Sequence, residues 1–212
     1  MTSLLIGNES TLLLGVNGAG KTTLMKILAG HLRTRGLDIS GLPRVSYVPQ
    51  FFTPVRGFTV LDHVSYVAWL DGQSRGRATK DARQWVDFVG LGDLADRKCT
   101  QLSGGQQAKV QLATALNTGA ELLLLDEPSA SLDPLAKREL QDLYRDIVDA
   151  GTGLWVSTHQ PHEVTDPFNR VIVLHEGTVR FDGPIGDFRH LGSDSAVDDD
   201  PAVVALAQAT AR

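Results

Sequence analysis

Cysteine is nearly absent. Cys99 is the only one in 212 residues, which excludes a disulfide framework and a cysteine-rich metal site and fits a reducing compartment. Long hydrophobic runs are missing as well. Stretches such as Leu122–Leu125 fall far short of the roughly 20 apolar residues that cross a bilayer. No basic-then-apolar leader opens the sequence, so the expectation is a protein soluble by itself, whose membrane role would need a partner chain. Positive charge is not in excess either. A formal net charge of -5 argues against a nucleic-acid groove spread over the whole surface, while a local basic patch stays possible. No aromatic residue precedes Gly15. Internal repeats and low-complexity linkers are also lacking, and the length suits one domain with a sizeable core.

What stands out against these absences is one stretch, Leu12-Leu13-Leu14-Gly15-Val16-Asn17-Gly18-Ala19-Gly20-Lys21-Thr22-Thr23. A short apolar run leads into Gly-x4-Gly-Lys-Thr, and Leu24, Ile27 and Leu28 follow at helical spacing before Gly30. This is the strand–loop–helix setting of a phosphate-binding loop. Glycines let backbone N–H groups close around phosphate oxygens where side chains would obstruct them. The new helix adds its positive end to the same spot. Lys21 is placed to reach a β- and γ-phosphate, and the Thr22 hydroxyl suits a Mg²⁺ ion.

Along the chain, strands are expected over Leu4–Ile6, Thr11–Leu14, Gly36–Ser40 and Val45–Val48, with a helix over Lys21–Ala29 between them. Phe51 to Gly57 reads as a loop. Helices follow over Thr59–Leu70 and Lys80–Val89, separated by a polar segment over Asp71–Thr79. Ser103 is set to cap a third helix over Gly104–Leu116. Leu122–Leu125 has the uninterrupted apolarity of a strand buried on both faces of a parallel sheet. A helix over Leu135–Val148 and a strand over Gly153–Ser157 come next, then a hairpin of Arg170–Leu174 and Val179–Phe181 around Glu176-Gly177. From Ser193 the composition shifts, and Asp198-Asp199-Asp200-Pro201 heads an Ala-rich helix expected to be loosely held. The alternation spells an α/β fold with a helical insertion between Gln50 and Glu121.

Polar residues fall in telling places. Gln50, Asp126-Glu127 and His159 each stand just past the C-terminal end of an apolar strand, as does the loop after Leu14. In an open parallel sheet, ligands bind outside the carboxyl ends of the strands. Asp126 suits a hard cation such as Mg²⁺, usually through water. Glu127, pushed toward extended geometry by Pro128, is a candidate to polarise the water that attacks a γ-phosphate. The other histidines (His31, His63, His162, His175, His190) show no ligand spacing and read as structural. A second glycine motif, Leu102-Ser103-Gly104-Gly105-Gln106-Gln107, forms another capped helix start suited to an anion. One nucleotide does not need two such cradles in one chain.

These motifs, in this order, resemble the nucleotide-binding domain of the ATP-binding cassette (ABC) family. The likeness runs from Thr11 to about Gly183. It rests on Gly15–Thr22 (Walker A), Gln50 (Q-loop), Leu102–Gln106 (signature), Leu122–Glu127 (Walker B), Ser131-Leu132-Asp133 (D-loop) and His159 (switch histidine). The resemblance implies an α/β P-loop NTPase (RecA-like) core with a mainly parallel sheet, over about 1–56 and 119–191. It also implies an inserted α-helical subdomain over about 57–118, with 192–212 as a C-terminal tail. It implies an ATPase whose cofactors are ATP and Mg²⁺. Lys21, Gln50, Glu127 and His159 would be catalytic. Asn17, Gly18, Ala19, Gly20, Lys21, Thr22, Thr23, Gln50 and Asp126 would bind nucleotide in one subunit, and Ser103, Gly104, Gly105 and Gln106 in the other, with Asp133 at the dimer seam. Thr22, Gln50 and Asp126 would hold the Mg²⁺. The surplus anion site then serves a partner's γ-phosphate in a head-to-tail dimer, expected to be a homodimer.

The implied partner is a multispan membrane permease, which would hold this chain at the cytoplasmic face of the membrane, and no nucleic-acid partner is expected. Thr59–Asp71 resembles the subdomain start of exporter-type bacterial cassettes, and Phe51, Phe52 and Phe58 are candidates to line the permease groove or to pack the subdomain. Lys109 stands where many relatives carry Arg. The larger departure is at the front, where relatives carry a longer segment with an adenine-stacking aromatic. Losing one base–aromatic stack would cost roughly 1–3 kcal/mol. The expectation is a cassette shortened at the N-terminus, or a start set too late. A soluble cassette acting on ribosomes or DNA, and a truncated cassette with weak turnover, are the competing readings.

Overall fold

The computed structural model describes residues 6–7, 9–34, 42–193 and 201–211. Its centre is a six-stranded sheet. The strands are β1 (Thr11–Leu14), β2 (Val45–Val48), β3 (Leu122–Asp126), β4 (Gly153–Thr158), β5 (Arg170–His175) and β6 (Thr178–Pro184). Their order across the sheet is β2-β3-β4-β1-β5-β6. The first five run parallel, and β6 pairs antiparallel with β5 through the expected hairpin. Every residue of β1, β3 and β4 is buried, as parallel strands covered on both faces must be.

The side-chain period of two sorts the core into layers. Leu12, Leu14, Leu123, Leu125, Val156 and Val173 face one side, which α4 (Gly104–Asn117) and α5 (Pro134–Asp149) cover. Leu13, Leu122, Leu124, Trp155 and Ile172 face the other, where Met25 and Leu28 of α1 (Lys21–Leu28) pack. Among the described residues, one short helix, α1, packs on that second face.

The segment between β2 and β3 is helical. Thr59 and Asp62 form a capping box at the start of α2 (Val60–Leu70). The next helix, α3 (Arg75–Phe88), starts five residues earlier than the expected Lys80, because the Ser74 hydroxyl accepts from the Arg77 N–H and begins it. Its first turn is exposed apart from Ala78, so no apolar stripe marks it in the sequence. Ser103 and Gln106 cap α4 in the same reciprocal way as α2. Cys99 is fully buried beside this cluster, its thiol donating to the Thr59 carbonyl at 3.4 Å. Burial pushes that thiol up to about 11, which keeps it protonated and unreactive.

The C-terminal part departs from expectation. A helix not foreseen, α6 (Ile185–Ser193), follows β6 directly, and Phe188 is fully buried. The Ala-rich helix, α7 (Pro201–Thr210), is docked rather than loose. Ala205 and Ala209 are buried as it packs on α6, on β5 and on the short turn Pro161–Glu163. Small side chains allow this close approach while giving little hydropathy signal. The strands suggested at 4–6 and 36–40 and the acidic cap 198–200 fall outside the described residues, save Ile6, which is in no strand.

The three insertion helices share one polar clamp. Asn117, at the end of α4, is buried and donates from Nδ2 to the carbonyls of Val64 in α2 and Ala78 in α3, both at 3.1 Å. Gln73 donates in turn to the Asn117 carbonyl. Asn117→Ala keeps the Gln73 bond to the main-chain carbonyl but loses both Nδ2 bonds, and is expected to lower stability by about 1–3 kcal/mol, read as a fall in urea midpoint with the slope unchanged.

Candidate functional site

The loop after β1 crosses the carboxyl ends of the strands. Gly15 N–H donates to the Thr158 carbonyl of β4 at 3.2 Å, and Ala19 N–H closes a turn onto Val16 O at 3.1 Å. Gly18 (φ 84°) and Gly20 (φ 103°) hold left-handed backbone, which glycine adopts without the Cβ penalty. Gly20 is the N-cap of α1, with no side-chain cap and no acidic residue in the first turn. The helix therefore presents an uncapped, electropositive end to the cleft.

Behind the loop stands the β5–β6 hairpin. Its turn residues Glu176 and Gly177 are both left-handed, and Gly177 N–H donates to Ala19 O at 2.9 Å. A Cβ at Gly15 would run into the Leu174 carbonyl oxygen, so glycine is required there for close approach.

Lys21 is 5% exposed. Its ammonium donates to Gly15 O at 2.7 Å and Val16 O at 3.3 Å, and pairs with Glu127 Oε1 at 3.0 Å. The other Glu127 oxygen meets His159 Nδ1 at 3.0 Å. One carboxylate thus bridges two residues, Lys21 at the start of α1 and His159 just past β4.

Glu127 reaches them through a backbone that is left-handed (φ 47°), not extended as Pro128 led us to expect. Proline disfavours the right-handed region for its predecessor, and the turn closed by Ala130 N–H onto Glu127 O, at 3.2 Å, takes the left-handed alternative. Such a conformation costs about 1–2 kcal/mol for a residue with a Cβ. Ser157 Oγ accepts the Glu127 N–H at 3.0 Å and helps hold the turn.

Asp126 sits beneath, 3% exposed. Its Oδ1 accepts from Ser157 Oγ at 2.8 Å and its Oδ2 from Tyr47 Oη at 2.9 Å. Burial, then the bond to Asp126 and its charge, raise the Tyr47 phenol well above its ordinary range, so it remains a donor. Tyr47 and Ser157 were not foreseen as site residues. A Ser-Thr pair inside the otherwise apolar β4 was the available signal for Ser157; Tyr47 looked like one more residue of an alternating strand.

The resulting cleft, about 560 Å³, is lined by Asn17–Thr23, Gln50, Glu127, Ala130, Ser131 and His159. Asp126 lies behind its wall. Thr22, Gln50 and Asp126 are all-oxygen donors, the chemistry a hard cation takes; with both Asp126 oxygens already engaged, a water-mediated contact fits it best. Gln111 of α4 donates to Pro49 O at 2.8 Å, tying that helix to the residue before Gln50.

Ser103, Gly104, Gly105 and Gln106 do not join this cleft. They lie against the start of α5, where a Cβ on Gly105 would come within 2.9 Å of Ala136 Cβ. Asp133 is likewise elsewhere, its Oδ1 capping α5 by accepting from Leu135 and Ala136 N–H at 2.9 Å each. His63 is buried against Phe52, and burial lowers its basicity.

A glycine cradle at a strand end, an uncapped helix and a buried lysine, on a mainly parallel sheet, define an α/β phosphate-loop nucleotide-binding protein. The chain belongs to the ABC transporter family, whose profile matches residues 5–130. It is 33% identical over 194 residues to the daunorubicin/doxorubicin resistance ATP-binding protein DrrA of Streptomyces peucetius, covering 85% of this chain and 59% of that one. It is 36% identical over 184 residues to the sulfate/thiosulfate import ATP-binding protein CysA of Salmonella typhi, covering 79% and 50%. The chain thus spans between half and three-fifths of the length of these two relatives. Among solved structures, a dimeric bacterial ABC transporter cassette superposes with a TM-score of 0.72 at 25% identity, covering 86% of this chain and 88% of that one.

Two glycines separate packing from conformation. Gly15→Ala must displace the loop from the hairpin backbone and is expected to cost about 1–3 kcal/mol of stability, with nucleotide affinity falling alongside. Gly18→Ala meets open space and should cost about 1–2 kcal/mol of left-handed strain, with no clash added to it. Thermal melts and Mg·ATP titrations of the two variants check the order.

Proposed function

We propose that this chain is the ATP-hydrolysing subunit of a transporter, powering a separately encoded multispan permease from the cytoplasmic face of the membrane. The observation that carries the reading is the Glu127 carboxylate, held between Lys21 and His159 at the mouth of the phosphate loop. ATP enters by its phosphates. The Lys21 ammonium exchanges Glu127 for the β- and γ-phosphate oxygens, and the loop N–H groups and the start of α1 take the remaining charge. Glu127, released from Lys21, then accepts a proton from the water that attacks the γ-phosphorus. The bond to the bridging oxygen breaks, leaving ADP and inorganic phosphate. His159 stays within reach of the carboxylate and orients it toward that water. Thr22 and Gln50, with Asp126 behind, would hold Mg²⁺, which would supply Lewis-acid neutralisation of phosphate charge.

Ser103–Gln106 lie outside the cleft of their own chain, which supports their service to a second copy's nucleotide in a head-to-tail homodimer. Asp133, followed by the two-thirds-exposed Leu135, would lie at that seam. Phe51, 71% exposed, Phe52 and Phe58 line two neighbouring hollows beside α2, a surface fit for a cytoplasmic helix of the permease. Among the described residues no helix is long and apolar enough to cross a membrane, in keeping with a permease on another chain. Export is the direction favoured, from the character of Thr59–Asp71 and the likeness to the drug-resistance protein.

Glu127→Gln is expected to cut turnover by about 10²–10⁴-fold and to accumulate an ATP-bound dimer on size exclusion; hydrolysis at the wild-type rate would remove Glu127 from this role. Lys21→Ala should weaken binding of the triphosphate, and unchanged affinity would take Lys21 out of the site. Co-purification with a multispan membrane protein tests the partner.

A further inference from the structure

Behind the cleft, a second carboxylate is buried with no counter-ion among the described residues. Glu163 is 7% exposed, and its Oε1 accepts a 2.6 Å hydrogen bond from Ser129 Oγ, itself 9% exposed. Around them lie Tyr144, Lys137 and Phe168, bordering one small cavity. Lys137 does not neutralise the carboxylate: its ammonium donates to Gln160 Oε1 at 2.9 Å. As a stability device this is a poor choice, since a buried, unpaired carboxylate costs more than an apolar side chain of like volume.

Its position in the chain explains what it does instead. Ser129 is two residues beyond Glu127, inside the turn that holds Glu127 at positive φ. Glu163 is four residues beyond His159, in the short helical turn Pro161–Glu163, where Glu163 N–H donates to Gln160 O and the following Val164 N–H to Pro161 O. The Ser129–Glu163 bond is thus a direct side-chain tie between the two loops, with Lys137–Gln160 as a lesser neighbour. We propose that Ser129 and Glu163 are positioning residues that set the spacing and orientation of Glu127 against His159 by locking together the turns that carry them. This rests on the reading of Glu127 as the group that activates water.

The test uses the full chain with Mg·ATP and reads kcat, KM and thermal midpoint together. Glu163→Leu removes the acceptor while filling the volume. It is expected to keep or raise the melting temperature and leave KM near wild type, while kcat falls by about tenfold to a hundredfold, the scale of a misplaced catalytic group. Glu163→Gln, which still offers an oxygen to Ser129, is expected to restore kcat. Ser129→Ala should reproduce the Glu163→Leu loss, and the double variant should be no worse than either alone. Ser129→Ala alone also decides the matter if Glu163→Leu fails to fold. Unchanged kcat in Glu163→Leu or Ser129→Ala overturns the proposal, as does a parallel loss of KM, kcat and stability in all variants, the mark of a scaffold. Glu127→Gln measured beside them separates the two layers. Full activity there sinks the water-activating role of Glu127, whereas a dead Glu127→Gln beside an active Glu163→Leu sinks only the lock.

Discussion

A lysine ammonium almost sealed from water needs something to answer its charge, and the architecture around the cleft follows from that need. Lys21 is answered by two loop carbonyls and one carboxylate, all delivered by the ends of parallel strands. The carbonyls come from the loop after β1, the carboxylate from the end of β3, two places across the sheet. Because β1, β4 and β3 run parallel as neighbours, their ends bring these together without a long excursion of the chain. Glu127 is the counter-ion to Lys21; under the proposed mechanism it would be kept from acting as a base until a triphosphate takes the ammonium, so that charge compensation and catalytic timing would share one side chain.

Much of this was legible beforehand, and the reason is physical. Buried parallel strands are mostly apolar, so Leu122–Leu125 and Leu12–Leu14 declare themselves, and polar residues just past such strands are placed at the ligand edge. Gln50, Glu127 and His159 were found that way. What escaped notice is equally instructive. Tyr47, Ser157, Ser129, Glu163 and Asn117 act through tertiary partners 30 or more residues away, and no local period records such a pairing. The left-handed Glu127 was hidden because the Pro128 restriction excludes one backbone region without choosing between the others. The first turn of α3 was missed because exposed residues carry no stripe; the helix α7 was expected, but not its docking, because alanine packs closely yet weighs little in hydropathy.

The split between residues gathered in the cleft and residues kept out of it is the other organising fact. Gly104 and Gly105 face Leu132 and Ala136, so the second glycine motif and the segment around Asp133 are built against each other as one surface. Capping of α5 by Asp133 and of α4 by Ser103 stiffens that surface from both sides. Under the proposed dimer, each chain then carries a complete phosphate cradle and a separate, rigid lid for another.

The hairpin that closes the sheet bears on how such a protein tolerates change. Its turn touches the cradle through the Gly177–Ala19 bond and the Gly15–Leu174 approach, although more than 150 positions separate them along the chain. Lengthening or shortening that turn by a single residue would alter the floor on which the glycine loop rests. Length variation in homologous chains is therefore expected to be scarce at this corner and freer where the backbone meets nothing but solvent.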